Sequence, residues 1–317
     1  MNERASNTLI IKGLICGILL AAVLFSGCTG NSPQQAAPLT TVAAPPYAAP
    51  ESASPAATTT TSGPAAAAIP STPAPAYTSA EGTVIAYTAA SLKGASPALA
   101  SGYAKMYPGR SVVFNLDGTQ ALKTQVLNGA YADVFISASN TYTAELSKGG
   151  YFTEGTVKTL TTNYVIVILP AANPAKIQSL NDLAKPGVKI ARGAKSVPVG
   201  TATDTVINNL AKTTYGTDWN NAVNTNTVTY ETSEPAVATK VALGEADAGF
   251  VYESTATAAK PGTYTTLTIP KKDNFLQVYS IAVMKESKST GAARDFETFM
   301  LSDAGQQILK DYGFRPA

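Results

Sequence analysis

From Thr83 onward, short apolar runs alternate with helical patterns, and this alternation leaves the chain few architectures to adopt. Strands are predicted at Val84–Thr88, Ser111–Asn115, Asp133–Ser137, Tyr164–Leu169, Lys189–Ala191, Thr227–Glu231, Ala248–Val251 and Gln277–Val283. Helical spacing falls between and after them, at Leu92–Tyr107, Thr119–Asn128, Thr141–Lys148, Thr201–Tyr215, Ala236–Leu243, Thr290–Leu301 and Asp303–Tyr312. A βαβα order predicts a doubly wound α/β architecture with largely parallel sheets. In such sheets ligands sit beyond the carboxyl ends of strands, where helices begin.

The chain ahead of Thr83 reads as an address and a spacer. Arg4 and Lys12 flank a basic start, and Leu14 to Phe25 form an apolar run too short to span a bilayer. Leu24-Phe25-Ser26-Gly27-Cys28 then follows a lipobox pattern. Residues 1–28 are therefore predicted to be a lipoprotein signal peptide. Cys28 becomes the lipidated N-terminus, on the extracytoplasmic face of the membrane. An uncleaved N-terminal anchor is the alternative and leaves the protein on the same side. Residues 29–82 are almost wholly Ala, Pro, Thr and Ser, with Glu51 the single charge before Glu81. Such a segment cannot bury enough apolar surface to fold and is predicted to be a disordered linker. The folded part is then 83–317.

Composition excludes several chemistries. The chain has no His, and its only cysteines are Cys16, inside the apolar leader, and Cys28. Ser-His-Asp and Cys-His nucleophile systems, disulfides and His- or Cys-based zinc sites are thus ruled out for the folded part. Lys+Arg 23 against Asp+Glu 21 gives +2 with no basic block, so nucleic acid is not an expected partner. Gly193 and Gly200 are too isolated to form a nucleotide-binding loop. Among the carboxylates Asp117, Glu231, Glu234, Asp247 and Glu253, spacing singles out no acid/base pair. The expectation is a non-enzyme without a cofactor.

What remains is a recurring junction. In Tyr87-Thr88-Ala89-Ala90-Ser91-Leu92, a strand stops at small residues and a helical pattern begins. Ser91 suits a helix N-cap; its hydroxyl, with the free N–H groups of a first helical turn, equally suits an anion. Comparable junctions recur at Thr119, at Val199-Gly200 and before Glu234.

Five motifs occur in order. They are Ala89-Ala90-Ser91-Leu92, Gly129-Ala130-Tyr131-Ala132-Asp133-Val134-Phe135-Ile136-Ser137-Ala138, Val197-Pro198-Val199-Gly200, Gly244-Glu245-Ala246-Asp247-Ala248-Gly249-Phe250-Val251-Tyr252 and Tyr312-Gly313-Phe314. Together, over Thr83–Phe314, the chain resembles the periplasmic molybdate-binding protein (ModA) family. The resemblance implies a two-lobed type II periplasmic-binding-protein fold with mixed sheets and a ligand cleft between the lobes. Lobe one would hold 83–162 and 278–317, and lobe two 163–277. It further implies a monomer that binds molybdate or tungstate and delivers it to the permease of an ABC transporter. Carried over by position, Ser91 and Thr119 would supply hydroxyls, Val199 and Glu234 backbone N–H groups, and Tyr252 a phenol.

Three departures from the family pattern bear on selectivity. Thr119 stands where serine is common, Asp117 where a small neutral residue is common, and Glu234 where an apolar residue is usual. Pro235 also removes one amide donor. A dianion can still be held without Lys or Arg, since each hydrogen bond to a charged group contributes about 1.5–3 kcal/mol. Five to seven such bonds, less closure costs, reach the roughly 8–12 kcal/mol of micromolar to nanomolar binding. A site made mainly of donors favours molybdate or tungstate, weakens sulfate and rejects the proton of phosphate, unless Asp117 or Glu234 turns inward to accept it. Another oxoanion such as sulfate or phosphate, a metal ion and an enzyme stay open as alternatives. A lone Tyr252 at the strand end argues against tyrosinate iron.

Overall fold

The computed structural model describes residues 82–317. The leader 1–28, Cys28 and all of the linker but Gly82 lie outside the described residues. The chain runs β1 (Thr83–Ala89), a tight turn at Ala90–Leu92, α1 (Ser96–Met106), β2 (Ser111–Asp117), α2 (Thr119–Leu127), β3 (Val134–Ser137) and α3 (Asn140–Lys148). It continues with β4 (Lys158–Pro170), β5 (Ile190–Gly193), α4 (Pro198–Leu210), a π turn at Ala211–Tyr215, α5 (Gly216–Thr225), β6 (Thr227–Glu231), α6 (Glu234–Ala242), β7 (Ala248–Tyr252) and α7 (Glu253–Ala258). Last come β8 (Tyr264–Thr268), β9 (Leu276–Val283), α8 (Thr290–Leu301) and α9 (Asp303–Asp311). Among the described residues no helix is long and apolar enough to cross a membrane.

The fold is two-lobed α/β. In the first lobe β1 lies between β2 and β3, parallel to both, and β9 is antiparallel to β3. In the second, β5 lies between β6 and β7, parallel to both, while β7 and β8 pair antiparallel with β4. β4 serves both lobes: Lys158–Tyr164 pairs with β9, and Val165–Ile168 pairs with β7. The chain therefore enters the second lobe along β4 and returns along β9. Helices α8 and α9 then cover the first lobe, where Phe296, Phe299 and Leu309 pack with Val84 and Ala86.

Strand alternation explains the unbroken apolar runs. Along β1, Val84 and Ala86 enter one core while Ile85 and Tyr87 enter the core on the opposite face. Along β4, Val165, Val167 and Leu169 face one layer and Ile166 and Ile168 the other. Helices cover both faces of each sheet, so every position from Val84 to Ala89 and from Val165 to Leu169 is buried. Each lobe also uses one aspartate as a strand clamp. Asp133 Oδ2 accepts the Ile85 N–H at 2.8 Å, and Asp247 Oδ2 accepts the Lys189 N–H at 2.9 Å. Two of the sequence motifs thus share one structural job, holding the start of β3 to β1 and the start of β7 to β5.

Several elements differ from the pattern reading. β4 starts at Lys158 rather than Tyr164, because its first residues pair with β9 although they alternate poorly. α5, α7 and β8 carry too few buried residues to show a period; in α5 only Trp219 and Val223 are buried. α1 starts at Ser96, after the separate tight turn that contains Ser91. Ser91 is therefore no N-cap of α1.

Candidate functional site

The strand-to-helix junctions of both lobes meet at one cavity of about 20 Å³. Ser91 and Thr119 line it from the first lobe, and Val199, Glu234 and Tyr252 from the second. The free space is on the order of that for a single water, so any occupant touches every wall. No Lys or Arg lines it. Among the described residues no group of acidic side chains is arranged to hold a metal ion.

Each wall residue is held by its neighbours. Ser91, in the tight turn after β1, has its Oγ 2.8 Å from the hydroxyl of Tyr279. Thr119 opens α2, and its Oγ1 accepts the Ala138 N–H at 3.1 Å, which leaves the hydroxyl proton for an occupant. Val199 follows Pro198 in the first turn of α4, where N–H groups have no carbonyl one turn back. Gly200 lets that turn sit close, since a Cβ there would lie 2.1 Å from the Ala194 carbonyl oxygen. Tyr252 ends β7 and donates to Gln277 Oε1 at 2.9 Å. Burial pushes its hydroxyl well above 10, so it stays a donor.

The two acidic departures separate. Asp117 turns onto its own chain, accepting the Gly118 N–H at 2.7 Å, and is not part of the cavity wall. Glu234 lines the cavity and is buried. Its Oε1 accepts from the Tyr252 N–H at 3.0 Å and from the Thr255 hydroxyl, while Oε2 is buried without a partner. Burial pushes this carboxyl up to about 7, against the smaller opposing pull of those two hydrogen bonds.

Sequence reasoning missed Tyr279 and Gln277, which look like ordinary members of the last strand. Gln277 is a bridge: its Nε2 donates to the Ala138 and Val278 carbonyls while its Oε1 receives Tyr252. The lobes also touch directly, Gln120 Nε2 donating to the Thr232 carbonyl at 2.7 Å and Tyr142 Oη to the Ser196 carbonyl at 2.8 Å. A second cavity, of about 250 Å³, shares Ala138 and Pro198 with the first and is lined by Ser139, Tyr142, Ser196 and Gln277.

Comparison with known proteins fits this geometry. The family described as bacterial extracellular solute-binding protein matches residues 84–315. The chain is 32% identical over 232 residues to the molybdate-binding protein ModA of Mycobacterium tuberculosis, covering 73% of this chain and 84% of the relative. Among solved structures it is similar to the substrate-binding domain of a molybdenum ABC transporter, described as putative, from Clostridium difficile. That match has 28% identity and a TM-score of 0.58, over 74% of this chain and 99% of the other. It shares its fold with the periplasmic molybdate-binding protein of Azotobacter vinelandii, at 24% identity and a TM-score of 0.64, over 74% of this chain and 99% of that one. With a family match that spans nearly all of the described residues, and a relative at this identity over most of both sequences, the chain belongs to the bacterial extracellular solute-binding proteins, in the ModA family.

Proposed function

We infer that this protein captures molybdate or tungstate outside the cytoplasmic membrane and delivers it to the permease of an ABC importer. The observation that carries the reading is the convergence of Ser91, Thr119, Val199, Glu234 and Tyr252 on one small cavity without a cation. The Thr119 hydroxyl proton and the first-turn N–H groups offer the positive ends of dipoles, which suits a tetrahedral dianion whose oxygens only accept. The name of the mycobacterial relative, a molybdate-binding protein, supports the same ligand class. In this reading the lobes, 83–162 with 278–317 and 163–277, close on the anion as a monomer. Cys28 carries the lipid that keeps the protein at the membrane, and the linker gives the domain reach.

Calorimetric titration of the purified protein with molybdate, tungstate, sulfate and phosphate tests it. Micromolar or tighter binding of molybdate or tungstate, with sulfate far weaker, is the expected result. Binding of none of the four, or of sulfate alone, would overturn it.

A further inference from the structure

The side chain of Glu234 is unexplained by a site built from neutral donors. It lines the cavity, is buried, and has one carboxylate oxygen satisfied twice and the other not at all. A buried acceptor without a partner is unfavourable, and a carboxylate beside a dianion in a cation-free cavity is more so, since like charges interact strongly away from water. Both problems vanish when Oε2 carries a proton and donates it. Resting on the oxoanion reading, we propose that Glu234 belongs to the binding site as a carboxylic acid whose proton is shared between Oε2 and an anion oxygen, so that one anion and one proton bind together.

The surroundings of Glu234 agree. The titratable groups that feel it are Tyr252 of β7, Tyr264 of β8 and Tyr279 of β9, all hydroxyls whose loss of a proton its charge opposes. Thr255 of α7 donates to Oε1. The cations on adjoining elements are engaged elsewhere: Arg192 of β5 with Asp204 and Asn224, and Lys240 of α6 with Glu245. Glu231, at the end of β6, accepts from Thr229, and Asp117 of β2 from Gly118. Nothing on these elements is placed to neutralise a Glu234 carboxylate, so a proton from solvent does so. The proton balance is simple: a fully deprotonated anion draws one proton onto Glu234, whereas hydrogen phosphate brings its own.

The test is calorimetry on the full protein, with molybdate as probe, from about pH 5.5 to about pH 9 in paired buffers of different ionisation enthalpy. Affinity should be level on the acid side and fall about tenfold per pH unit once Glu234 is ionised in the empty site, with uptake approaching one proton per anion. Glu234→Gln keeps the Oε1 acceptor and puts an N–H donor that does not titrate in place of Oε2, so its affinity, whatever its size, should be level with pH and its binding should take up no proton. Phosphate, tested above neutrality, should bind the wild type without proton uptake. Wild-type molybdate affinity that is level with pH, with no proton uptake, would overturn the proposal while leaving the oxoanion reading intact. A Glu234→Gln protein that keeps the wild-type slope would do the same. Failure of molybdate, tungstate, sulfate and phosphate to bind at any pH would instead bring down the oxoanion reading and this proposal with it. The wild-type proton count needs no variant, so a poorly folding substitution cannot hide the answer.

Discussion

The hydroxyls of Ser91 and Tyr279 lie 2.8 Å apart, joining the first strand-to-helix junction to a strand 188 residues further along the chain. Tyr279 is fully buried and also bonds Asn163, so it holds the Ser91 Oγ in place at the cavity wall. Ser91→Ala should weaken oxoanion binding by about 1–3 kcal/mol and, because Tyr279 loses a partner, lower unliganded stability by about 1 kcal/mol. Tyr279→Phe removes the anchor and keeps the ligand, so affinity should fall by roughly 1 kcal/mol. Titration and thermal melts of both variants check this. Unchanged affinity in Tyr279→Phe would make the pair purely structural.

Tyr252 at the end of β7 and Gln277 of β9 form the second such pair. Tyr252→Phe should cost about 1–3 kcal/mol of binding. Gln277→Leu frees the phenol and also breaks the bridge to Ala138, so the two changes should be non-additive by about 0.5–3 kcal/mol in a double-mutant cycle. Strict additivity would show that Gln277 does not orient the phenol.

The alternation that defines both lobes was legible because β1, β4 and β7 are apolar on two faces, and a pattern buried on both sides leaves no polar register to confuse it. α5 and β8 were not legible, since a helix anchored by Trp219 and Val223 and an edge strand with no buried residue carry almost no periodic signal. At the site, the junctions carrying Ser91, Thr119, Val199 and Glu234 could be read as places where small or hydroxyl residues open a turn. The partners could not. Tyr279 and Gln277 act through contacts made across the sheet, and sequence spacing does not reveal which strand will lie beside the first junction. The different fates of Asp117 and Glu234 were likewise invisible, because Asp117 bonds the next residue's N–H whereas Glu234 reaches across to the Tyr252 N–H of another element, a contact that spacing does not reveal.

Gly200 offers a test of the amide donors. A Cβ at this position would lie 2.1 Å from the Ala194 oxygen and 2.5 Å from the Gly193 oxygen, both backbone atoms that cannot swing away. Gly200→Ala should push the start of α4 off β5 and move the Val199 N–H with it. Stability and affinity should both fall, each by about 1–3 kcal/mol. A variant with native stability and native affinity would show that this close approach is not needed.

The contacts between lobes should act on release. Gln120 and Tyr142 each donate one hydrogen bond from the first lobe to a carbonyl of the second, and neither residue is in the wall of the small cavity. Gln120→Ala and Tyr142→Phe each remove about 0.5–1.5 kcal/mol of closure, and the change should appear mainly as faster anion dissociation. Stopped-flow displacement measures it. Slower association with unchanged dissociation would contradict the role.

Without ligand, Glu234 should set the pH dependence of stability. Its carboxyl titrates at about 7 in the folded protein and at 4.5 ordinarily, so between these values the native state binds the proton that the unfolded chain has released. The stabilisation is therefore complete below about 4.5, falls as pH rises to about 7, and is gone above, with a total of at most about 3 kcal/mol. Asp182, held at about 2 by its hydrogen bond to Lys185, has the opposite sign and acts only at more acid pH, outside this window. Denaturant midpoints of anion-free protein should decline from about pH 5 to about pH 7.5, and the decline should disappear in Glu234→Gln. A midpoint that rises through this range in the wild type, or a decline that survives the substitution, would mean that Glu234 is ionised in the folded protein at acid pH and that its unpartnered oxygen is satisfied in another way.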